Sequence, residues 1–101
     1  MRILLSANGP DRDATIAPAF DTAPYYLLID SEADTCQVYQ REELFPFTQS
    51  PIEAIITGHM SPELQQSARD AGIFLYTIPA GGITIAVNQC LRGRLRTLAT
   101  P

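Results

Sequence analysis

Residues 52–78, IEAIITGHMSPELQQSARDAGIFLYTI, limit the fold of this chain more than any other stretch. Ile52–Thr57 is almost continuously apolar, the pattern of a strand buried on both faces of a parallel sheet. Ser61 is a good helix N-cap, Pro62 suits the first helical position, and Glu63 places an acid in the first turn. Leu64, Ala68 and Ala71 then form a narrow apolar stripe, and Gly72 ends the helix. Ile73–Ile78 reads as the next strand. A strand, a short helix and a second strand predict two parallel strands joined by a right-handed crossover.

The rest of the chain is organised around that unit. Ile3–Ser6 opens as a short strand and stops at Asn8-Gly9-Pro10, a turn signal. DRDATIAPAFDTAP has no period and two prolines, which predicts a loop; loops of that length are often functional. Tyr25–Asp30 and Thr35–Arg41 read as strands joined across Ser31-Glu32-Ala33-Asp34, with Cys36 and Val38 on one inward face. Glu42–Pro51 has no helical period. Pro79-Ala80-Gly81-Gly82 leads into a second helix, Ile83–Arg92, with Ile83, Val87, Cys90 and Leu91 buried and Gly93 as its stop. The expected fold is a single α/β domain over residues 1–101, with two helices on a mixed five-stranded sheet made of an antiparallel meander plus parallel strands.

Charge and composition narrow the partners. The net charge of −4 argues against nucleic acid, whose phosphates need a basic surface. No apolar stretch approaches the roughly 20 residues of a membrane span, and the first ten residues lack the apolar core of a signal peptide. A cytoplasmic protein with neither membrane nor nucleic-acid partner is therefore expected. Arg92, Arg94 and Arg96 read as helix-dipole partners and solubilising groups rather than a binding patch. The two cysteines, Cys36 and Cys90, form no C-x-x-C pair and fit buried core positions.

His59 is the single histidine, placed just after a strand and just before a helix, where open α/β sheets set their ligands. A neutral imidazole there can ligate a metal, with the Met60 thioether beside it. It can equally be a turn residue whose ring bonds a carbonyl or caps the helix. Gly81-Gly82 opens a helix and offers N–H groups to an anion. Asp11, Asp13 and Asp21 match no calcium loop and read as solvated. No nucleophile–base pair stands at usable spacing, so the chain is not expected to be an enzyme.

Three stretches then take on a common meaning: Ala17-Pro18-Ala19-Phe20-Asp21-Thr22-Ala23-Pro24-Tyr25-Tyr26, Ile55-Ile56-Thr57-Gly58-His59-Met60, and Ala80-Gly81-Gly82 through Leu91-Arg92-Gly93-Arg94-Leu95. In order and spacing the chain resembles the dinitrogenase iron–molybdenum cofactor biosynthesis family, the NifX/NafY-type domain. That resemblance implies a ribonuclease-H-like topology and Phe20 as a loop anchor. It also implies a non-enzymatic accessory role, binding or handing over an iron–sulfur or iron–molybdenum cluster to a donor or acceptor protein. The cluster would dock between the loop, the metal ligand His59 and the Gly81-Gly82 turn, with a hydroxyl from Thr84. The chain departs from the family at Ala19, commonly histidine or arginine there, and at Asp21 and Ser61, both commonly glycine. It has only Glu42–Pro51 where the family has a helix. A sheet face left without that helix is expected to be covered by Leu44, Phe45 and Phe47 and by a second copy in a homodimer. These departures support the alternative, a divergent relative that has lost cluster binding and acts as a homodimeric or partner-binding module.

Overall fold

The protein is described by a computed structural model over residues 1–40, 52–78 and 81–97. In chain order these hold β1 (Arg2–Ala7), a 3-10 turn (Phe20–Thr22), β2 (Tyr25–Asp30), β3 (Thr35–Tyr39), β4 (Ala54–Thr57), α1 (Pro62–Asp70), β5 (Phe74–Thr77), α2 (Ile83–Leu91) and β6 (Arg96–Thr97). The strands form one mixed sheet in the order β3-β2-β1-β4-β5-β6. β1, β4 and β5 are parallel, while β2, β3 and β6 join by antiparallel pairings. The meander and the strand–helix–strand unit thus lie on opposite sides of β1.

A sixth strand corrects the five-stranded expectation. Past Gly93, which takes φ 68°, the chain turns back, and Arg96 and Thr97 pair with Thr77 and Tyr76. Two exposed residues without alternation carry no strand signal; only the neighbouring β5 edge makes them one.

Strand alternation sorts the core into two layers. Leu4, Tyr26, Leu28, Ile55 and Leu75 point to one face, where they pack with Phe20, Met60, Ala68 and Ile73. Ile3, Leu5, Leu27, Ile29, Ala54 and Ile56 point to the other and meet Ile83, Ala86, Val87 and Cys90 of α2. On both faces the residues of β1, β2 and β4 in these layers are at most 5 % exposed. One copy thus buries the central strands on both faces. Leu44, Phe45 and Phe47 lie outside the described residues.

The helices follow their sequence signals with two changes of face. The Ser61 hydroxyl accepts the Leu64 N–H at 3.4 Å, and Gly72 takes φ 77° just past the end of α1. Ala71 is the exposed cap instead of part of the stripe, and Gln65 is buried in its place. The Gln65 amide donates to the Met60 carbonyl at 2.8 Å and its oxygen accepts from Arg69 at 3.1 Å, so burial leaves it satisfied. On α2, Ala86 replaces Leu91 in the buried face, and Leu91 is 47 % exposed. Val38 is likewise 43 % exposed, not inward, because β3 is the outermost strand. The outer part of the predicted Thr35–Arg41 strand, Arg41, lies outside the described residues.

Ile55, fully buried between β1 and β5, tests the first layer. Ile55→Ala is expected to cost about 2–5 kcal/mol, read as a lower denaturant midpoint at unchanged slope.

The β2–β3 turn carries an acid-sensitive element. The Asp30 carboxylate accepts the Ala33 N–H at 3.2 Å and the Glu32 N–H at 3.0 Å, and Arg2 stands 3.9 Å away. The Ala33 bond leads in holding its pKa below the ordinary carboxylate value, against a smaller desolvation effect. A depressed folded pKa stabilises fully above the unfolded value of about 3.9 and is lost as pH falls through the folded one. Asp30→Asn is therefore expected to flatten the loss of stability between pH about 5 and 2, measured by urea unfolding across that range.

Candidate functional site

The parallel strands β1, β4 and β5 end on the same edge of the sheet, and each is followed by a segment with a marked sequence signal. The segment after β1 joins the other two. Ile16 bridges Ala7, Thr15 bridges Gly82, and Ala19 bridges His59. Thr15 and Ala19 are four residues apart on one chain, so their Cα atoms lie within about 14 Å. The structure thus gathers the loop, the His59 turn and the Gly81-Gly82 turn at one end.

Two short approaches build the His59 turn. The Phe20 N–H donates to the His59 carbonyl at 2.7 Å. A Cβ on Gly58 would stand 2.5 Å from the Pro18 carbonyl oxygen, so only glycine lets the loop backbone pass. Beneath them the buried Ser6 hydroxyl donates to the Ala17 carbonyl at 2.9 Å and meets the Thr57 hydroxyl at 2.8 Å. Phe20 is the anchor expected of it: it is 1 % exposed and set edge-on to Tyr26, whose hydroxyl bonds the Phe20 carbonyl. The His59 main chain is thereby committed to the loop while its side chain is exposed.

Asp21 differs from the solvated carboxylate expected from the sequence. It is half-buried, and its Oδ1 accepts the Ser61 N–H at 2.9 Å, at the head of α1. An acceptor charge beside a helix N-terminus is favourable, and a charged bond here locks the loop to the turn. The remaining loop carboxylates stay exposed; the Asp11 carboxylate accepts the Asp13 N–H at 3.0 Å, within the loop itself.

The helix start after Gly81-Gly82 is largely closed by the same loop. Gly81 takes φ 134°, its carbonyl accepts the Ile16 N–H at 2.8 Å, and the Ile83 N–H donates to Ala14 at 3.0 Å. The Thr84 hydroxyl donates to the Arg12 carbonyl at 3.3 Å. Thr84 also lines a small crevice of about 160 Å³ with Arg12, Ser31 and Asp34, where Asp34 raises the pKa of the Arg12 guanidinium through a 2.8 Å bond. Met60 is fully buried, which puts its thioether in the core instead of beside the His59 ring.

Neither cysteine joins this end. Cys90 is buried on the inner face of α2, where desolvation pushes its thiol pKa up, and Cys36 is half-buried on the edge strand. Among the described residues no three His, Cys, Asp or Glu side chains form a metal-holding group. Among the described residues the donors placed at this turn are the His59 imidazole and the Asp21 carboxylate, already bonded to Ser61, a set that does not fit a cluster held by protein ligands.

A cleft of about 470 Å³ opens beside the turn, lined by Gly58, Thr77, Ile78, Gln89, Arg94, Leu95 and Arg96. Arg94 and Arg96, which read as solubilising groups in the sequence, therefore border a concave surface. Their place at the ends of β4 and β5 depends on β6 pairing, which no local pattern announces.

No family model matches the chain, and no curated protein matches it. Solved structures do. The apo form of the orange protein from Desulfovibrio gigas superposes with a TM-score of 0.87 at 22% identity, over 99% of this chain and 94% of that one. A provisionally assigned NifB protein from Thermotoga, of the DUF35 family, gives 0.85 at 19% identity, over 99% and 95%. A provisionally assigned dinitrogenase from Methanocaldococcus jannaschii gives 0.79 at 20%, over 100% and 97%. The chain has their fold. At these identities the likeness concerns architecture, an α/β domain with a mixed sheet and two helices.

Gly58→Ala tests the close approach. The added methyl group must displace the Pro18 backbone, with an expected cost of about 1–3 kcal/mol and faster hydrogen exchange at the Phe20 amide.

Proposed function

We propose that this chain is a non-enzymatic accessory module, a divergent relative of the nitrogenase-cofactor proteins whose fold it shares, and that it binds a partner protein without holding a metal cluster. The supporting observation is the Asp21–Ser61 bond at 2.9 Å. In the family that the sequence resembles, both positions are commonly glycine. Here a carboxylate takes the N–H at the head of α1, next to the His59 turn, so an anionic cluster arriving there would meet a resident negative charge. The order of the first five strands, β3-β2-β1-β4-β5, is read as ribonuclease-H-like, and it implies nothing about nuclease chemistry. A cytoplasmic setting belongs to the same reading.

The exposed ring of His59 at the end of a central parallel strand favours a second reading. In it the protein carries an iron–sulfur or iron–molybdenum cluster between donor and acceptor proteins. His59 is then the metal ligand, and Gly81, Gly82 and Thr84 flank the cluster.

Anaerobic reconstitution with iron, sulfide and molybdate, followed by desalting, metal analysis and visible absorption, separates the two. The expected result is no stoichiometric metal on the wild type or on His59→Ala, and increased retention on Asp21→Gly. Stoichiometric metal on the wild type that falls away in His59→Ala would establish the carrier reading instead.

A further inference from the structure

The arginines among the described residues divide into two groups by what holds them. Arg2 stands 3.9 Å from Asp30, Arg12 bonds Asp34 at 2.8 Å, and Arg69 bonds Gln65 at 3.1 Å. Arg92, Arg94 and Arg96 are exposed, and none has an ion pair with a described residue. Three guanidinium groups within five residues, none ion-paired among the described residues, are a local cluster of positive charge in a chain of net charge −4. Two of them, Arg94 and Arg96, border the 470 Å³ cleft; Arg92 does not.

The other walls of the cleft define what could fill it. Gln89 offers a neutral amide, and the Thr77 hydroxyl donates to the Gly58 carbonyl at 3.2 Å, so its proton is committed within the chain. Ile78 is buried and Leu95 half-buried, so an apolar surface adjoins the charged rim. Two guanidinium forks present more N–H donors than one carboxylate can accept, and they match the three terminal oxygens and double charge of a phosphate monoester. The volume lies within the roughly 300–1,000 Å³ of small-molecule sites and greatly exceeds that of phosphate alone. The cleft therefore has room for an organic body beside an anionic head.

We propose that this cleft is a binding site for a small organic phosphate, with Arg94 and Arg96 gripping the phosphoryl group, Gln89 beside it, and Ile78 and Leu95 against the apolar body. The site is independent of the accessory role and requires no metal.

Phenyl phosphate is the probe, titrated into isotope-labelled protein at constant ionic strength and followed by amide chemical shifts, with phenol and inorganic phosphate as comparators. The expected result is saturable shifts at Gly58, Thr77, Gln89, Leu95 and Arg96, with a Kd below about 1 mM and weaker binding of both comparators. Arg94→Ala/Arg96→Ala is expected to weaken binding about tenfold or more, and Arg92→Ala less than about twofold, with spectra unchanged away from the cleft. Shifts that do not saturate, binding that survives in the double variant, or an equal loss in Arg92→Ala would overturn the proposal. Tighter binding of an acidic hexapeptide to the same amides would also overturn it, by assigning the cleft to a protein partner. Metal content plays no part in the readout, so the outcome is separate from that of the reconstitution.

Discussion

Where Pro18 crosses Gly58, two backbones pass closer than a side chain would permit, and the arrangement of this whole end of the sheet depends on that crossing. It lets Ala19 bridge His59 and brings the Phe20 N–H to the His59 carbonyl. With Phe20 anchored against Tyr26, the loop runs back along the strand ends and reaches Gly82 through Thr15. The buried Ser6 and Thr57 hydroxyls tie β1 to β4 directly below, with each polar group satisfied inside the core. A long Pro-containing segment is held in this way by backbone bonds, without entering the sheet as a full strand.

That rigidity sets the chemistry of the end. Donors that would welcome an anion at a helix start are bonded within the chain: the Ser61 N–H goes to Asp21 and the Ile83 N–H to Ala14. The imidazole of His59 is open to solvent, but its neighbours offer no second strong ligand among the described residues. Positive charge is found one step away, on the rim between α2 and β6. Charge at this end is carried by a few exposed side chains, whereas the fold is carried by the buried ones, so the two can vary separately.

Much of the scaffold is legible in the amino-acid sequence. The apolar run of Ile52–Thr57, the Ser61-Pro62 helix start and the glycines at 72 and 93 correspond to strands, a helix and stops in the fold. Those signals are local: a cap, a period or a left-handed residue acts within a turn or two of chain. Gln65, Leu91 and Val38 depart from their sequence patterns, because burial at each depends on a neighbour distant from the local period. Gln65 is buried because the Met60 carbonyl and Arg69 satisfy it, and Val38 is exposed because its strand lies at the sheet edge.

By itself the sequence determined the alternation of strands and helices, the parallel unit, and the presence of one histidine after β4. Only the tertiary structure decided that β6 completes the sheet, that Asp21 bonds Ser61, and that Arg94 and Arg96 border a cleft beside Gly58. The reason is one of range. Periodicity and capping follow from covalent neighbours, whereas Asp21 and Ser61 are 40 residues apart and meet only because the sheet brings their loops together.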